Sequence, residues 1–272
     1  MYHYCSEEKF SKIIKSKNLW LTPVETMNDC EEIKHLYRNV WEKAKSLLLE
    51  KYKDDDWAVQ IIKIVDEHNN IIAIQTDMPY CSCLSNEGDL LQQWRFYADD
   101  GKGFSICFDS ELLNVKSSLP HPNVRIKNAI GIGEVVYDFT QQVNILFWVV
   151  SQILDQRQVN VSDWIYIITN LRYYSAIFKN STFYTEQERR IIYYFCDKHE
   201  FDYSFVSGPY DYLTNEKRFE LNWYSSDKNH SIKKIILGPK NKYSSEEVLF
   251  LLSQNGIFIE EENIFKSVST YR

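Results

Sequence analysis

Two carboxylates set two residues apart at the mouth of an apolar run constrain this chain more than any other feature. The segment is Phe183-Tyr184-Thr185-Glu186-Gln187-Glu188-Arg189-Arg190, and it runs directly into Ile191-Ile192-Tyr193-Tyr194-Phe195. The β-branched and aromatic tail predicts a strand. In an extended chain residues i and i+2 share a face, so Glu186 and Glu188 are expected to point the same way. Two such acids repel, and the pair must either retain a proton or find a cationic partner. Arg189 and Arg190 are the nearest candidates in sequence. The same octapeptide also reads as a solvated strand end, whose surface ion pairs would be worth roughly 0–1 kcal/mol each and imply no function. Burial decides between the two.

The surrounding chain has few breakers. With 8 Gly and 6 Pro among 272 residues, and with 19 Tyr, 15 Phe and 7 Trp, long elements joined by short connections are expected. At 44% hydrophobic the chain can bury one large core or two modest ones. A net charge of -7 opposes nonspecific binding to a phosphate backbone, which needs a surplus of Lys and Arg. Six cysteines (Cys5, Cys30, Cys81, Cys83, Cys107 and Cys196) are irregularly spaced, as suits reduced thiols in the cytoplasm better than a disulfide framework. Cys81-x-Cys83 lacks a second Cys or His pair, so no metal is expected. There is no basic-then-apolar leader. The apolar stretch Val143 to Ile153 carries Asn144, Ser151 and Gln152 and reads as a buried helix, so no membrane association is expected.

Along the chain, Tyr2-His3-Tyr4 predicts a short first strand. Ser6 is the expected N-cap of a helix whose Phe10, Ile13 and Ile14 form its buried stripe. Lys17-Asn18 end that helix, and Leu19 to Thr22 follow as a strand closed by Pro23. A loop with Met27-Asn28-Asp29-Cys30-Glu31-Glu32 leads into a helix bearing Ile33, Leu36, Tyr37, Val40, Trp41, Ala44, Leu47 and Leu48. A further helix begins at Asp54-Asp55-Asp56 and runs through Val65. Strands are expected at Tyr80 to Leu84, Phe104 to Phe108, Lys217 to Tyr224, Ile232 to Leu237 and Ile264 to Val268, with an extended stretch from Asn123 to Tyr137. Helices are expected at Leu90 to Ala98, Thr140 to Leu154, Ser162 to Phe178 and from Ser244 to Leu252. Asp197 to Glu216 reads as polar and irregular, and Gly101-x-Gly103 as a tight turn. These elements describe one α+β domain over 1–272 with a helical elaboration at about 140–178.

Several motifs, in order, resemble a bacterial family of unknown function, domain-of-unknown-function family 2971. They are Tyr2-His3-Tyr4, Leu19-Trp20-Leu21, Met27-Asn28-Asp29-Cys30-Glu31-Glu32, Cys83-Leu84-Ser85, Trp94-Arg95-Phe96-Tyr97-Ala98, Gly101-Lys102-Gly103, Glu186-Gln187-Glu188-Arg189, Ile232 to Pro239 and Ser269-Thr270-Tyr271-Arg272. That resemblance implies a component of a bacterial defence or toxin system, with an antitoxin or defence-operon partner.

A second likeness is to ADP-ribosyltransferases, and it implies a mixed, mainly antiparallel sheet core. There an early strand carries a His or Arg that holds a ribose of NAD, an aromatic stacks on nicotinamide, and a late strand supplies a Glu. By position, His3 would hold the ribose and Trp94 or Tyr97 would stack. Glu188 would stabilise the developing oxocarbenium charge, and Glu186 would orient the nucleophile. Tyr4, Asn28, Asp29 and Arg189 complete the expected NAD-binding set, although Asn28-Asp29 also reads as a turn or helix cap and Trp94 with Tyr97 as core packing. NAD would be consumed as substrate, with a macromolecular acceptor or water. The alternatives are a nuclease effector and a noncatalytic sensor or binding module.

Overall fold

A computed structural model of the chain describes residues 1–24, 32–75, 79–113, 115, 130–156, 163–194, 206–211, 217–226 and 229–271. The strands are β1 (Tyr2–Cys5), β2 (Asn18–Pro23), β3 (Tyr80–Ser85), β4 (Phe104–Phe108), β5 (Ile130–Glu134), β6 (Glu188–Tyr193), β7 (Val206–Asp211), β8 (Lys217–Asn222), β9 (Tyr224–Ser226), β10 (Asn229–His230), β11 (Ile232–Leu237) and β12 (Ile264–Lys266). The helices are α1 (Glu7–Ser16), α2 (Glu32–His35), α3 (Trp41–Lys51), α4 (Asp56–Gln75), α5 (Leu91–Tyr97), α6 (Phe139–Gln156), α7 (Asp163–Ser175) and α8 (Ser245–Ser253). A π-helical turn, Leu36–Val40, joins α2 to α3.

Ten strands form one mixed, mainly antiparallel sheet. Its main path runs β12-β11-β4-β1-β3-β2-β8-β7, and β6 joins β3 to β5 off that path. Only the β11–β12 pair is parallel among the described strands. Register assigns the two faces. Cys81 lies opposite Ile192, and both belong to a core shared with α3, α4, α6 and α7. Their neighbours Tyr80, Leu84, Ile191 and Tyr193 point the other way, into a core filled by Phe10, Ile13 and Ile14 of α1 and by Val248 and Leu252 of α8. Helices therefore cover both faces.

Local chemistry explains the joints. The Ser6 hydroxyl accepts from the Lys9 amide at 3.3 Å, and α1 ends at Lys17 with a left-handed φ of 59°. Ser244 and Glu247 form a reciprocal capping box on α8. Gly101 adopts φ +88°, and a Cβ at Gly103 would collide with the Cys5 carbonyl, so the Gly-x-Gly segment is the expected tight turn. Tyr271 docks on that turn, its hydroxyl donating to Asp100 at 2.7 Å.

The helices of the 140–178 elaboration, α6 and α7, share their core with α3 and α4. Three expectations change. The helix beginning near Asp54 continues past Val65 to Gln75. Within the stretch expected to be irregular, Val206–Asp211 pairs with β8 as a strand, so a polar composition did not prevent ladder formation. Glu186 is not extended. It ends a 3₁₀ turn, Ser181–Glu186, and Gln187 follows in the left-handed conformation at φ 45°. Asn28 and Asp29 lie outside the described residues.

Candidate active-site cleft

β3 is the axis of the site. Along one edge it pairs with β6 over its whole length, from Tyr80↔Tyr193 to Ser85↔Glu188. Its other edge is shared: β2 takes the end at Tyr80 and Cys81, and β1 takes the end at Ser85, opposite Tyr2. Between those contacts the two strands diverge. A cleft of about 410 Å³ opens in the fork, lined by His3, Trp20, Ser82, Cys83 and Tyr97 and by the acids and bases below. Its size falls in the range of small-ligand sites, roughly 300–1,000 Å³.

Four charged side chains form its inner wall. Glu186 and Glu188 are 4% and 5% exposed, Lys179 is 5% exposed and Arg190 is 1% exposed. Lys179 Nζ bridges the acids, at 2.6 Å from Glu186 Oε2 and 3.1 Å from Glu188 Oε2. Arg190 grips both oxygens of Glu188, Nε to Oε1 at 2.8 Å and Nη2 to Oε2 at 3.0 Å, and donates from Nη1 to the Ala176 carbonyl at 2.8 Å. Tyr97 Oη donates to the remaining oxygen of Glu186 at 3.1 Å. Ser85 Oγ and Gln93 Nε2 donate to the Glu186 carbonyl, and Tyr137 Oη accepts from the Glu188 amide at 2.9 Å. Burial alone would raise the Glu188 carboxyl, but Arg190 and then Lys179 outweigh it and hold the group down to about 2. Burial, reinforced by Glu186, raises the Tyr97 phenol, which stays protonated and able to donate. The wall is thus a hydrogen-bonded cluster of two acidic and two basic side chains, all buried.

His3 approaches from the opposite face of the sheet. Tyr2, Ser85, Glu188 and Arg190 share one face by register, so the His3 side chain starts from the other, and only the fork lets both reach one cavity. Burial pushes the imidazole below its usual pKa, which favours the neutral ring near pH 7. Its Nδ1 lies 3.2 Å from the Cys83 carbonyl, which can only accept. Nδ1 therefore carries the proton and Nε2 is left as an acceptor.

The remaining candidates divide. Tyr97 lines the cleft. Tyr4 borders it, but its hydroxyl is committed to the Glu87 carbonyl at 2.8 Å and the Leu90 amide at 2.9 Å. Trp94 does not line it. The indole is fully buried, edge-on to Tyr4 at 4.8 Å, with Nε1 donating to Asp89 at 2.6 Å, so it packs and cannot stack on a ligand. Arg189 also falls outside the lining. It follows Glu188 on the strand, so alternation turns it to the other face, where it pairs with Glu134.

Sequence reasoning missed Lys179 and Trp20. Lys179 follows α7 without periodic context and offered no signal. Trp20 did offer one: Leu19 and Leu21 are core residues, so the residue between them must face away from that core. Among the described residues no group of three or more His, Cys, Asp or Glu side chains is placed to hold a metal ion, and no helix is long and apolar enough to cross a membrane.

The family described as "Protein of unknown function (DUF2971)" matches residues 93–191. That stretch runs from the middle of α5 into β6, covers a little over a third of the chain, and contains Tyr97, Lys179, Glu186, Glu188 and Arg190. The likeness to this family seen in the motifs therefore holds over the cleft's inner wall. No curated protein and no solved structure matches the chain.

Proposed function

We propose that this chain, with its DUF2971 segment, is an NAD-consuming enzyme of ADP-ribosyltransferase type, a transferase or a glycohydrolase acting as a cytoplasmic toxin or defence effector. The single observation carrying this reading is convergence: an imidazole from the first strand, a tyrosine from α5 and an acidic pair from β6 and the turn before it line one cleft. The placement of an early His strand and a late Glu strand on either side of one central strand also supports an ADP-ribosyltransferase-like core.

In this reading His3 Nε2 accepts from a ribose hydroxyl. The bond between the ribose C1′ and the nicotinamide nitrogen breaks, nicotinamide leaves with the electron pair, and positive charge develops on the ribose. Glu188, kept ionised by Arg190 and Lys179, supplies a fixed negative charge that needs no reorganisation as that charge forms. Glu186 and Tyr97 orient the acceptor hydroxyl or water that attacks C1′, and the acceptor's proton leaves to solvent. Nicotinamide release from NAD, and transfer of ADP-ribose into a cell lysate, are the direct assays. Glu188→Gln is expected to lower nicotinamide release by about 100-fold or more. A wild-type protein that neither releases nicotinamide nor transfers ADP-ribose overturns the proposal.

One observation favours a noncatalytic binding module instead: the two acids and two bases of the inner wall are hydrogen-bonded to one another. Ligand binding without nicotinamide release would support that reading.

A further inference from the structure

The cleft has a second wall whose chemistry differs from that of the acidic one. Trp20 on β2 lines it and is 40% exposed, although Leu19 and Leu21 on either side are in the core. Thr22 pairs with Cys81, so Trp20 and Thr22 share the sheet face of Cys83, Ser85, Glu188 and Arg190. The indole is held from behind. The guanidinium carbon of Arg218 lies 3.5 Å from its ring centroid, and Arg218 is itself fixed by Glu220 at 3.0 Å. Glu220 in turn accepts from Asn18 Nδ2 at 2.8 Å, back on β2. A three-residue chain of polar contacts thus immobilises an exposed aromatic ring with one face backed by a cation. Lys9 and Lys12 of α1 and the His3 ring also border the cavity.

We infer that Trp20 is a stacking platform for a purine base, and that Lys9 and Lys12 hold the phosphates attached to it. The cleft would then take an adenine nucleotide lengthwise, with the base at Trp20 and the distal ribose at the acidic wall. This rests on the proposed NAD-consuming function, since that reading sets the occupant of the other end. Base–aromatic stacking fits an indole in this setting, because every purine presents a π-face and a ring already fixed by Arg218 loses little freedom on binding. Two lysines match a diphosphate by charge, Lys12 exchanging its surface pair with Glu8, now at 2.6 Å, for a phosphate oxygen.

Calorimetric titration with AMP and with ADP-ribose tests the assignment. Wild-type protein is expected to bind both. Trp20→Leu should weaken AMP binding by about tenfold or more, and Trp20→Phe should recover most of the loss. Lys9→Gln combined with Lys12→Gln should weaken ADP-ribose binding, with its diphosphate, more than AMP binding. If Trp20→Leu, shown to be folded by an unchanged Tm, binds AMP as tightly as wild type, the stacking assignment is overturned while the NAD-consuming reading stands. If AMP binding depends on Trp20 but NAD is not cleaved, the base site stands and the cleavage reading falls. A wild-type protein that binds neither AMP nor ADP-ribose overturns both.

Discussion

Arg189 and Arg190 are adjacent on β6, and each is paired with a glutamate, yet the two pairs sit in different solvents. Arg190 is sealed between Glu188 and the Ala176 carbonyl. Arg189 reaches Glu134 across the β5–β6 ladder at the surface, where Glu134 is largely exposed. The pleat alone separates them. Charge pairing therefore has no single value along this strand: on one face the ions are desolvated and depend on each other, and on the other water screens them. On β6 the same alternation separates Glu188 and Arg190, which border the cleft, from Arg189, which does not.

The largest effect should come from breaking the sealed pair. Arg190→Leu leaves Glu188 buried with Lys179 as its only charged partner, and removing one member of a buried pair costs about 3–5 kcal/mol. For a chain of this size that should lower Tm by roughly 10 °C, measurable by calorimetry. An Arg190→Leu protein as stable as wild type would show that the two faces of β6 do not differ as argued.

Acid should reproduce part of that loss without a mutation. Glu188 is held at about 2 in the folded protein against an ordinary value of 4.5. Its contribution is therefore complete above about pH 4.5 and is lost as pH falls through the folded-state value near 2. The size of the shift corresponds to about 3 kcal/mol. Urea midpoints measured from pH 6 down to pH 2.5 should fall more steeply for wild type than for Glu188→Gln. Parallel curves would remove Glu188 as the source.

Lys179→Met should fall at the low end of the same range as Arg190→Leu, about 3 kcal/mol: it leaves Glu186 buried without its cation, but Glu188 keeps Arg190 and Glu186 keeps the Tyr97 hydroxyl. The comparison sharpens if Lys179→Met and Arg190→Leu are combined. Both act on Glu188, so their effects should not add. Additive losses would mean that the two cations serve separate acids.

Much of this arrangement is legible in the sequence, and the exceptions share a cause. The β4 and β11 strands, the α1 stripe and the Ser244 cap follow from local pattern, because period and capping chemistry act over a few residues. The meeting of His3 with Glu188 followed from resemblance and not from pattern, since nothing local says that β1 and β6 flank the same strand. The facing of Glu186 and Glu188 was anticipated for the wrong reason: Glu186 reaches the cleft through a 3₁₀ turn and a left-handed Gln187, a route that strand alternation does not contain. Trp94 and Tyr97 stayed open between stacking and core packing, because two aromatics three residues apart on a short helix give no hint of which ring meets the Tyr4 face of β1. Lys179 was invisible because its partners lie across a turn.

The smallest effect belongs to Arg189, and it is the control on which the comparison depends. Arg189→Ala removes an ion pair whose glutamate is largely solvated, so its cost should stay below about 1 kcal/mol. Raising the salt to 1 M should shrink even that difference, because the screening length falls to about 3 Å. Its side chain points away from the cleft, so nicotinamide release should also be unchanged, in contrast to Glu188→Gln one residue earlier. A loss of several kcal/mol in Arg189→Ala, undiminished by salt, would mean that the outer face of β6 is as sealed as the inner one. The contrast between the two arginines would then rest on something other than exposure to water.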